Sequence, residues 1–238
     1  MIESTRAIVI NTIKYGDTSL IATCYTNNFG IKTYLLKGIL KAKKAKLKPA
    51  YFQPLMQLNL TANHNNKGNL NSIRDIEILH FYNSIYTDIK KQTIALFLAE
   101  MVYYSIREEE RNSTLYKYLE TSFLWLDTHD NISNFHLLFL LNLTKFLGFY
   151  PETNAANKSY FDLLEGSFTH YSNVNTVSGT NLVQFKKLLG ISFDVLHTID
   201  FNAKKRQAVL SILIQYFELH LGSFKKPKSL EVLKSVFS

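Results

Sequence analysis

The chain has almost no cysteine and none of the common catalytic motifs. Cys24 is the single cysteine among 238 residues, so no disulfide can form within the chain and no site with several thiolate ligands can be built. A glycine-rich phosphate loop, a dinucleotide-binding glycine set, a cysteine pair and a His-Glu-x-x-His motif are all missing, and the seven histidines show no ligand spacing. These absences argue against an enzyme and against a bound metal or organic cofactor.

Signals for secretion or membrane insertion are missing as well. Residues 1–14 lack the basic, apolar and small-residue order of a signal peptide. The longest apolar-rich stretch, residues 135–150, is interrupted by His136, Asn142 and Lys145, and it is too short and too polar to span a bilayer. Together with the lone cysteine, this predicts a cytoplasmic protein with no membrane partner.

Acidic residues are scarce in the first third of the chain. Residues 1–80 hold 11 Lys plus Arg against 4 Asp plus Glu, whereas residues 81–238 hold 16 against 15. Residues 18–74 contain no carboxylate at all. Such a surface attracts polyanions. Positive charge also serves solubility, but solubility alone does not require the charge to be segregated in one region.

The same region has the pattern of a small β-barrel. Five stretches of β-branched or alternating apolar residues, separated by turns with Gly or Asn, predict strands at 7–14, 18–26, 31–37, 52–61 and 70–77. Five short strands in eighty residues are typical of an OB-fold. We therefore expect an OB-fold nucleic-acid-binding domain at residues 1–80.

Beyond residue 80, apolar residues recur at helical spacing. The pattern predicts helices at 84–106, 115–126, 135–149, 191–196, 203–221 and 227–237. Residues 151–176 are rich in Asn and Ser, show no clear period and are interpreted as an irregular loop. The expected fold class is α+β multidomain, with an N-terminal five-stranded OB-fold β-barrel followed by an α-helical C-terminal domain at 81–238.

The densest positive charge lies in residues 37–48. Six lysines occupy this segment: Lys37, Lys41, Lys43, Lys44, Lys46 and Lys48. Lysine is a point charge on a long stem, which suits the phosphates of a nucleic-acid backbone better than base edges. Tyr34 and Tyr51 flank the segment, and exposed rings on an OB barrel stack on single-stranded bases. These eight residues are the predicted DNA-binding set; the alternatives are a solvated loop and aromatic residues of the core.

A second basic cluster is formed by Lys204, Lys205 and Arg206, in the first turn of the predicted helix 203–221. Cations at a helix N-terminus oppose the helix macrodipole. The arrangement is understandable if an anion binds there, next to the free backbone N–H groups. A solvated helix start explains the cluster equally well.

An ordered set of short motifs resembles the bacterial RecO family of DNA repair proteins. In the barrel region these motifs are Ala7-Ile8-Val9-Ile10, Lys14-Tyr15-Gly16-Asp17-Thr18-Ser19, Gly30, Tyr34-Leu35-Leu36-Lys37-Gly38, Gln53-Pro54-Leu55 and Leu70-Asn71-Ser72-Ile73-Arg74-Asp75. In the helical region they are Phe146-Leu147-Gly148-Phe149-Tyr150-Pro151, which is similar to a Leu-Gly-Phe-x-Pro segment of the family, His220-Leu221 and Lys228-Ser229-Leu230-Glu231-Val232-Leu233. No single motif is specific, but their order spans essentially the whole chain.

The resemblance implies a recombination mediator. Such a protein binds single- and double-stranded DNA, anneals complementary strands and works with RecR to load RecA recombinase onto strands coated by single-stranded DNA-binding protein (SSB). The resemblance also implies a nucleoid-associated location and docking of the acidic, Phe-ended SSB tail on the helical domain, where Lys204, Lys205 and Arg206 are a candidate edge.

Two points stay open after this comparison of motifs. Many members of the family carry a four-cysteine zinc site just after the Leu-Gly-Phe-x-Pro segment, but residues 152–176 contain no cysteine, so we expect no zinc and a loop held by packing alone. The alternative function is a protein-interaction module that docks on SSB and RecR with little DNA binding of its own.

Overall fold

A computed structural model of the chain describes residues 2–41, 47–64, 70–107, 109–154 and 156–238. The chain divides into two compact units, Met1–Thr128 and His129–Ser238. Within the described residues, the first unit contains a five-stranded sheet and two α-helices, and the second contains a small three-stranded sheet and four α-helices. No helix in these residues combines the length and the apolarity needed to cross a membrane.

The five-stranded sheet of the first unit has the connectivity of an OB-fold. Its strands are β1 (Ile2–Tyr15), β2 (Ser19–Thr26), β3 (Gly30–Leu36), β4 (Gln57–Asn63) and β5 (Ser72–Ile78). Neighbours are antiparallel in the order β3-β2-β1-β4-β5.

The two edges of this sheet meet. Asn71, just before β5, forms a parallel bridge with Tyr34 of β3. The Leu35 N–H donates to the Asn71 carbonyl at 2.9 Å, and the Asn71 N–H donates to the Thr33 carbonyl at 2.9 Å. A sheet whose edge strands pair has no exposed edge there. The predicted OB-fold is confirmed.

A bulge in β1 explains why the fourth strand begins later than the sequence pattern predicts. The pairing of β1 with β2 shifts register between Val9 and Asn11, which bends the strand. At this bend the Leu55 N–H donates to the Val9 carbonyl at 2.7 Å, and Leu55 has a φ of 68°. The chain turns between the 3-10 helix Pro49–Phe52 and β4, which starts only at Gln57.

Most of the barrel core is built from side chains at alternate positions of the strands. It comprises Ala7, Val9, Ala22, Cys24, Tyr34, Leu36, Ile39, Phe52, Met56, Leu58, Leu60 and Ala62. Alternation by two is what places one face of each strand inside the barrel. Cys24 is fully buried and burial raises its thiol pKa to about 12, as expected of a core residue rather than a reactive thiol.

The helices α1 (Ile89–Ser105) and α2 (Ser113–Thr128) belong to the same compact unit as the barrel. The buried Asp127 carboxylate at the end of α2 accepts the backbone N–H groups of Asn83, Ser84 and Ile85 at 2.8–3.1 Å. The ammonium of the buried Lys91 donates to Ser84 Oγ at 2.7 Å and to the Asp127 carbonyl at 2.9 Å. This polar cluster joins the chain leaving β5 to the end of α2.

The second unit is mainly helical. Its elements are α3 (Phe135–Phe146), β6 (Tyr160–Asp162), β7 (Ser167–Thr169), β8 (Thr176–Ser178), α4 (Gly179–Lys186), α5 (Ala203–His220) and α6 (Leu230–Val236). Helix α3 is buried along nearly its whole length and contacts α5. The sequence pattern missed α4, and the short helix expected at 191–196 is the 3-10 helix Phe193–Thr198.

The expectation of an irregular loop at residues 151–176 needs correction. This segment contains β6, β7 and the first residue of β8, which form an antiparallel sheet in the order β7-β6-β8. Phe161 at its centre is fully buried, with ring centroids 5.0 Å from Phe168, 5.2 Å from Phe185 and 6.1 Å from Tyr216. Three-residue strands are too short to show a period in the sequence.

Candidate nucleic-acid interface

The lysine-rich segment leaves the barrel directly after β3, and its first residues are fixed in place. The Gly38 N–H donates to Ser19 Oγ at 3.1 Å, and the Leu40 N–H donates to the Thr18 carbonyl at 2.9 Å. Gly38 has a φ of 70°, a conformation that glycine adopts without strain. Ile39 is buried in the barrel core. The segment therefore starts from a rigid point beside the turn between β1 and β2.

The return of the segment to the barrel is also anchored. Leu47 packs against the barrel core, and the Tyr51 N–H donates to the Lys48 carbonyl at 3.0 Å. Phe52 is buried, and its carbonyl accepts the Thr12 hydroxyl at 2.9 Å. The described residues at both ends of the segment are therefore held to the barrel.

Three of the six predicted lysines can be placed. Lys37, Lys41 and Lys48 are exposed, and none of them has a carboxylate within ion-pair distance among the residues that the structure describes. The remaining three predicted lysines, Lys43, Lys44 and Lys46, lie outside the described residues.

Tyr34 does not have the exposure that base stacking requires. Its side chain is 0 % exposed, and its hydroxyl lies 2.9 Å from Nε2 of His64. Burial raises the pKa of the Tyr34 hydroxyl and lowers the pKa of the His64 imidazole, so both groups are held neutral. The His64 ring in turn contacts Phe29 at 4.3 Å between centroids. Tyr34 is thus a core residue, which corrects the sequence-based prediction.

Two other tyrosines lie nearer to the surface, beside the two ends of the segment. Tyr51 is half-buried, on the 3-10 helix Pro49–Phe52, and packs against the barrel core with part of its ring. Tyr15, at the end of β1, is 54 % exposed and is the register partner of Ser19, the residue that holds Gly38. The sequence prediction missed Tyr15; its position at a strand end beside Gly16 was the available signal.

The charge around the two ends of the segment is mainly positive. Lys14 on β1 is exposed, and Asp17 in the turn that follows is the acid closest to it in the chain. Lys32, on β3, is already paired with Glu109 at 2.7 Å between Nζ and Oε2. The exposed Lys14 therefore adds to the positive charge of the segment itself, whereas the charge of Lys32 is neutralised by Glu109.

The second basic cluster is only partly available to an anion. Arg206 donates to the carbonyls of Phe201 at 2.8 Å and Phe237 at 3.2 Å, and its Nε donates to Asn134 Oδ1 at 3.2 Å. Burial lowers the pKa of this guanidinium. Arg206 is therefore a structural clamp between α5, the C-terminal residues and the start of α3, which is a correction to its predicted role.

The backbone N–H groups at the start of α5 are also partly used by hydrogen bonds within the protein. Asn202 caps the helix, since its side-chain oxygen accepts the Lys205 N–H at 2.9 Å. Lys204 is exposed and Lys205 is half-buried. Lys204 and Lys205 remain as candidate contacts for an anion. The Arg206 guanidinium is already bonded within the protein, and the Lys205 N–H is already bonded to Asn202.

A four-cysteine zinc site does not fit this chain. Cys24 is buried in the other unit, and residues 152–176 contain no cysteine. Among the described residues, no group of three or more His, Cys, Asp and Glu side chains is arranged to hold a metal ion. Instead, Asp162 accepts the N–H groups of Leu164 and Glu165 at 2.8 and 3.2 Å, and the Asn173 side-chain amide donates to the same carboxylate.

The fold and the anchored basic segment together define an OB-fold DNA-binding protein with a helical second part. Two family profiles match the chain: Recombination protein O N terminal at residues 1–82, and Recombination protein O C terminal at residues 86–231. The chain therefore belongs to the RecO family of DNA repair and recombination proteins.

Relatives of full length agree with this assignment. The chain is 46% identical over 236 residues to the DNA repair protein RecO of Flavobacterium johnsoniae, covering 98% of each chain. It is 45% identical over 238 residues to that of Christiangramia forsetii and 37% identical over 245 residues to that of Bacteroides fragilis, covering 100% of each chain in both cases.

Proposed function

We propose that this chain is a non-enzymatic recombination mediator of the bacterial nucleoid and cytoplasm. It binds single- and double-stranded DNA, anneals complementary strands and, with RecR, helps load RecA onto SSB-coated DNA. Membership of the RecO family supports this role. The observation that carries the DNA-binding part is the lysine-rich segment 37–48, anchored at both ends and set in a span of 57 residues without a carboxylate.

The chemistry of the segment favours phosphates over bases. Lysine ammonium groups neutralise phosphates and release counterions, which gives affinity that depends on salt and not on sequence. Annealing has the same requirement, because two polyanionic strands approach each other only when their charge is screened. Tyr15 and Tyr51, which are partly or largely accessible beside the segment, are the better candidates for stacking on unpaired bases.

The second candidate function is docking on SSB and RecR with little DNA binding, and a groove in the second unit favours it. The groove has a volume of about 500 Å³ and lies between α5 and α6. It is lined by Leu210, Ser211, Ile214, Gln215, Glu218, Lys226, Leu230, Glu231 and Lys234. An apolar floor edged by lysines suits an acidic tail that ends in Phe, although Lys226 and Lys234 already pair with Glu218 and Glu231.

The decisive experiment is DNA binding by the purified chain at several salt concentrations. If four lysines of the segment contact phosphates, they contribute roughly −3 to the log–log salt slope on single strands, at about −0.7 per phosphate. Replacing Lys41, Lys43, Lys44 and Lys46 by Ala should remove this contribution and weaken binding similarly on every DNA sequence. Strand annealing should fall in parallel.

A matched control separates this effect from the general loss of charge. Replacing Lys90, Lys117, Lys225 and Lys228 by Ala removes the same four charges from exposed positions outside the segment. This control variant should bind and anneal like the parent. If the segment variant is folded and also behaves like the parent, the segment is only a solvated surface. Affinity for an acidic, Phe-ended peptide would then identify docking as the main function.

A further inference from the structure

Two lysine side chains of the second unit converge on one residue of the small sheet. The Lys158 ammonium donates to the carbonyl of Phe168, on β7, at 2.9 Å. The Lys186 ammonium, from the last turn of α4, lies 5.0 Å from the centroid of the Phe168 ring and donates to the Lys158 carbonyl at 3.2 Å. Both side chains are half-buried, so their positions are set by these contacts rather than by free rotation.

Two more lysines lie at the same end of α4. Lys187 is the residue that ends the helix, and it is exposed. Tyr150 is fixed beside this end, because its hydroxyl accepts the Gly190 N–H at 3.2 Å. The Lys145 ammonium lies 4.5 Å from the centroid of the Tyr150 ring. Lys186 and Lys187 therefore lie at the C-terminal end of α4, with Lys158 in contact with Lys186 and with Lys145 beside Tyr150.

In the part of the chain that the structure describes, none of the four lysines has a carboxylate within ion-pair distance. Asp162, on the neighbouring strand β6, is buried, and its carboxylate is bonded to Leu164, Glu165 and Asn173. The two half-buried ammonium groups of Lys158 and Lys186 therefore have carbonyl acceptors but, among the described residues, no ion pair that would neutralise their charge.

The helix dipole accounts for only part of this arrangement. Cations are favoured at a helix C-terminus, which explains why Lys186 and Lys187 are tolerated at the end of α4. It does not explain Lys158, which comes from the chain before β6 and approaches the same residue as Lys186. A phosphate group bound beside these lysines would supply the counter-charge.

We propose that Lys158 and Lys186, with Lys187 and Lys145 beside them, form a second phosphate-binding site for a nucleic-acid strand, located on the helical unit. The inference rests on the proposed DNA-binding function. Since the lysine-rich segment 37–48 belongs to the other unit, the chain carries one phosphate-binding region on each unit. Two such regions on one chain provide what annealing needs, which is contact with two strands.

The chemistry of this site favours a nucleic-acid backbone over an acidic peptide with an apolar end. Phe168 is 3 % exposed, so its ring offers no surface for an inserted aromatic side chain. The groove of about 500 Å³ lies elsewhere, between α5 and α6. Point charges without an apolar pocket contact phosphates.

The test compares a double variant, Lys158→Gln with Lys186→Gln, against the double variant Lys225→Gln with Lys228→Gln. Both remove two charges from the helical unit, and Lys225 and Lys228 are exposed residues away from α4. Loss of two phosphate contacts should make the salt slope on single strands about 1.4 less negative. The site variant should also anneal complementary strands several-fold more slowly, and the control variant should match the parent in both assays.

Further measurements keep the result interpretable. A third variant, Lys158→Arg with Lys186→Arg, keeps both charges and should retain the parent slope, and thermal unfolding verifies that each variant is folded. If the site variant binds and anneals like the control variant while the parent binds DNA, this inference is wrong and the proposed function stands. If the parent does not bind DNA, the proposed function fails as well. If the site variant loses affinity for an acidic, Phe-ended peptide but binds and anneals DNA like the parent, the site binds peptides and this inference is wrong.

Discussion

Tyr34 and Arg206 illustrate how burial decides the role of a side chain. Both are residue types that contact nucleic acids or anions when they are exposed. Tyr34 is enclosed in the barrel core and bonded to His64. Arg206 directs its guanidinium to the carbonyls of Phe201 and Phe237 and to Asn134. In both cases the polar group is used inside the protein, so we expect substitutions to affect stability before they affect binding.

Replacing Arg206 by Gln should destabilise the second unit by about 2 kcal/mol, because at least two buried or half-buried carbonyls lose their donor. Lys204→Gln, two residues earlier on the same helix, is the matched control and should change stability by less than about 0.5 kcal/mol, since Lys204 is exposed. Denaturant unfolding followed by far-UV circular dichroism measures both. Equal stabilities for the two variants would show that Arg206 is not a clamp.

Among the secondary-structure elements, the sheet of β6, β7 and β8 is held by both packing and hydrogen bonds. The sheet surrounds Phe161, which packs on Phe168, Phe185 and Tyr216. Asp162 adds hydrogen bonds across the turn that follows β6 and to Asn173. The expectation that packing alone holds this segment is therefore incomplete: a buried carboxylate with three donors contributes as well.

The pH dependence of this element has a defined sign. Burial of Asp162 opposes its charged form, but the hydrogen bonds from Asn173, Glu165 and Leu164 outweigh burial and lower its pKa below the ordinary value of 3.8. A carboxylate whose pKa is lowered by folding contributes stability that is present above the unfolded-state pKa and is lost as the pH falls through the folded-state pKa. The contribution should therefore be complete above about pH 5 and decline below about pH 4.

Asp162→Asn should lower the free energy of unfolding by about 1–3 kcal/mol at neutral pH, because the charged acceptor is lost. The difference between the variant and the parent should shrink as the pH falls below about 4. Denaturant unfolding at pH 7, 5, 4 and 3 measures it. A difference that stays constant over this range would mean that ionised Asp162 contributes nothing to stability.

At the scale of the whole molecule, positive charge is unevenly divided along the chain. Residues 1–80 hold nearly all the excess positive charge of the sequence, with 11 Lys plus Arg against 4 Asp plus Glu, whereas residues 81–238 together hold 16 against 15. The helical unit nevertheless gathers Lys145, Lys158, Lys186 and Lys187 at one end of α4. A region with almost no net charge can therefore still present a local surface of positive charge.

The whole chain should hold no stoichiometric structural metal. A zinc site of the family type needs thiolates, and Cys24, buried in the barrel, is the single cysteine. Elemental analysis after dialysis against a chelator, together with thermal unfolding before and after that dialysis, tests this. We expect no zinc above background and an unchanged unfolding temperature. About one zinc per chain, or a clear loss of stability with the chelator, would contradict the prediction.

The fold of the first eighty residues could be predicted well from the sequence. Strand positions β1, β2, β3 and β5 agree with the alternating pattern within a few residues, except that β1 begins five residues earlier. The start of β4 could not be predicted, because it depends on the bend at Val9 and on the φ of Leu55. The strands of the second unit could not be predicted either, since three residues carry too little pattern. The division at residue 80 stays a prediction.

The sequence by itself determined the charge segregation, the lack of thiolate ligands, the barrel and most of the helices, because composition and periodicity are local properties of a chain. The tertiary structure decided which charged and aromatic side chains are available. It buried Tyr34, committed Arg206 to carbonyls and left Tyr15 exposed. It also brought Lys158 next to Lys186, 28 residues further along the chain. Burial and long-range contacts depend on which elements pack together, and no local pattern records that.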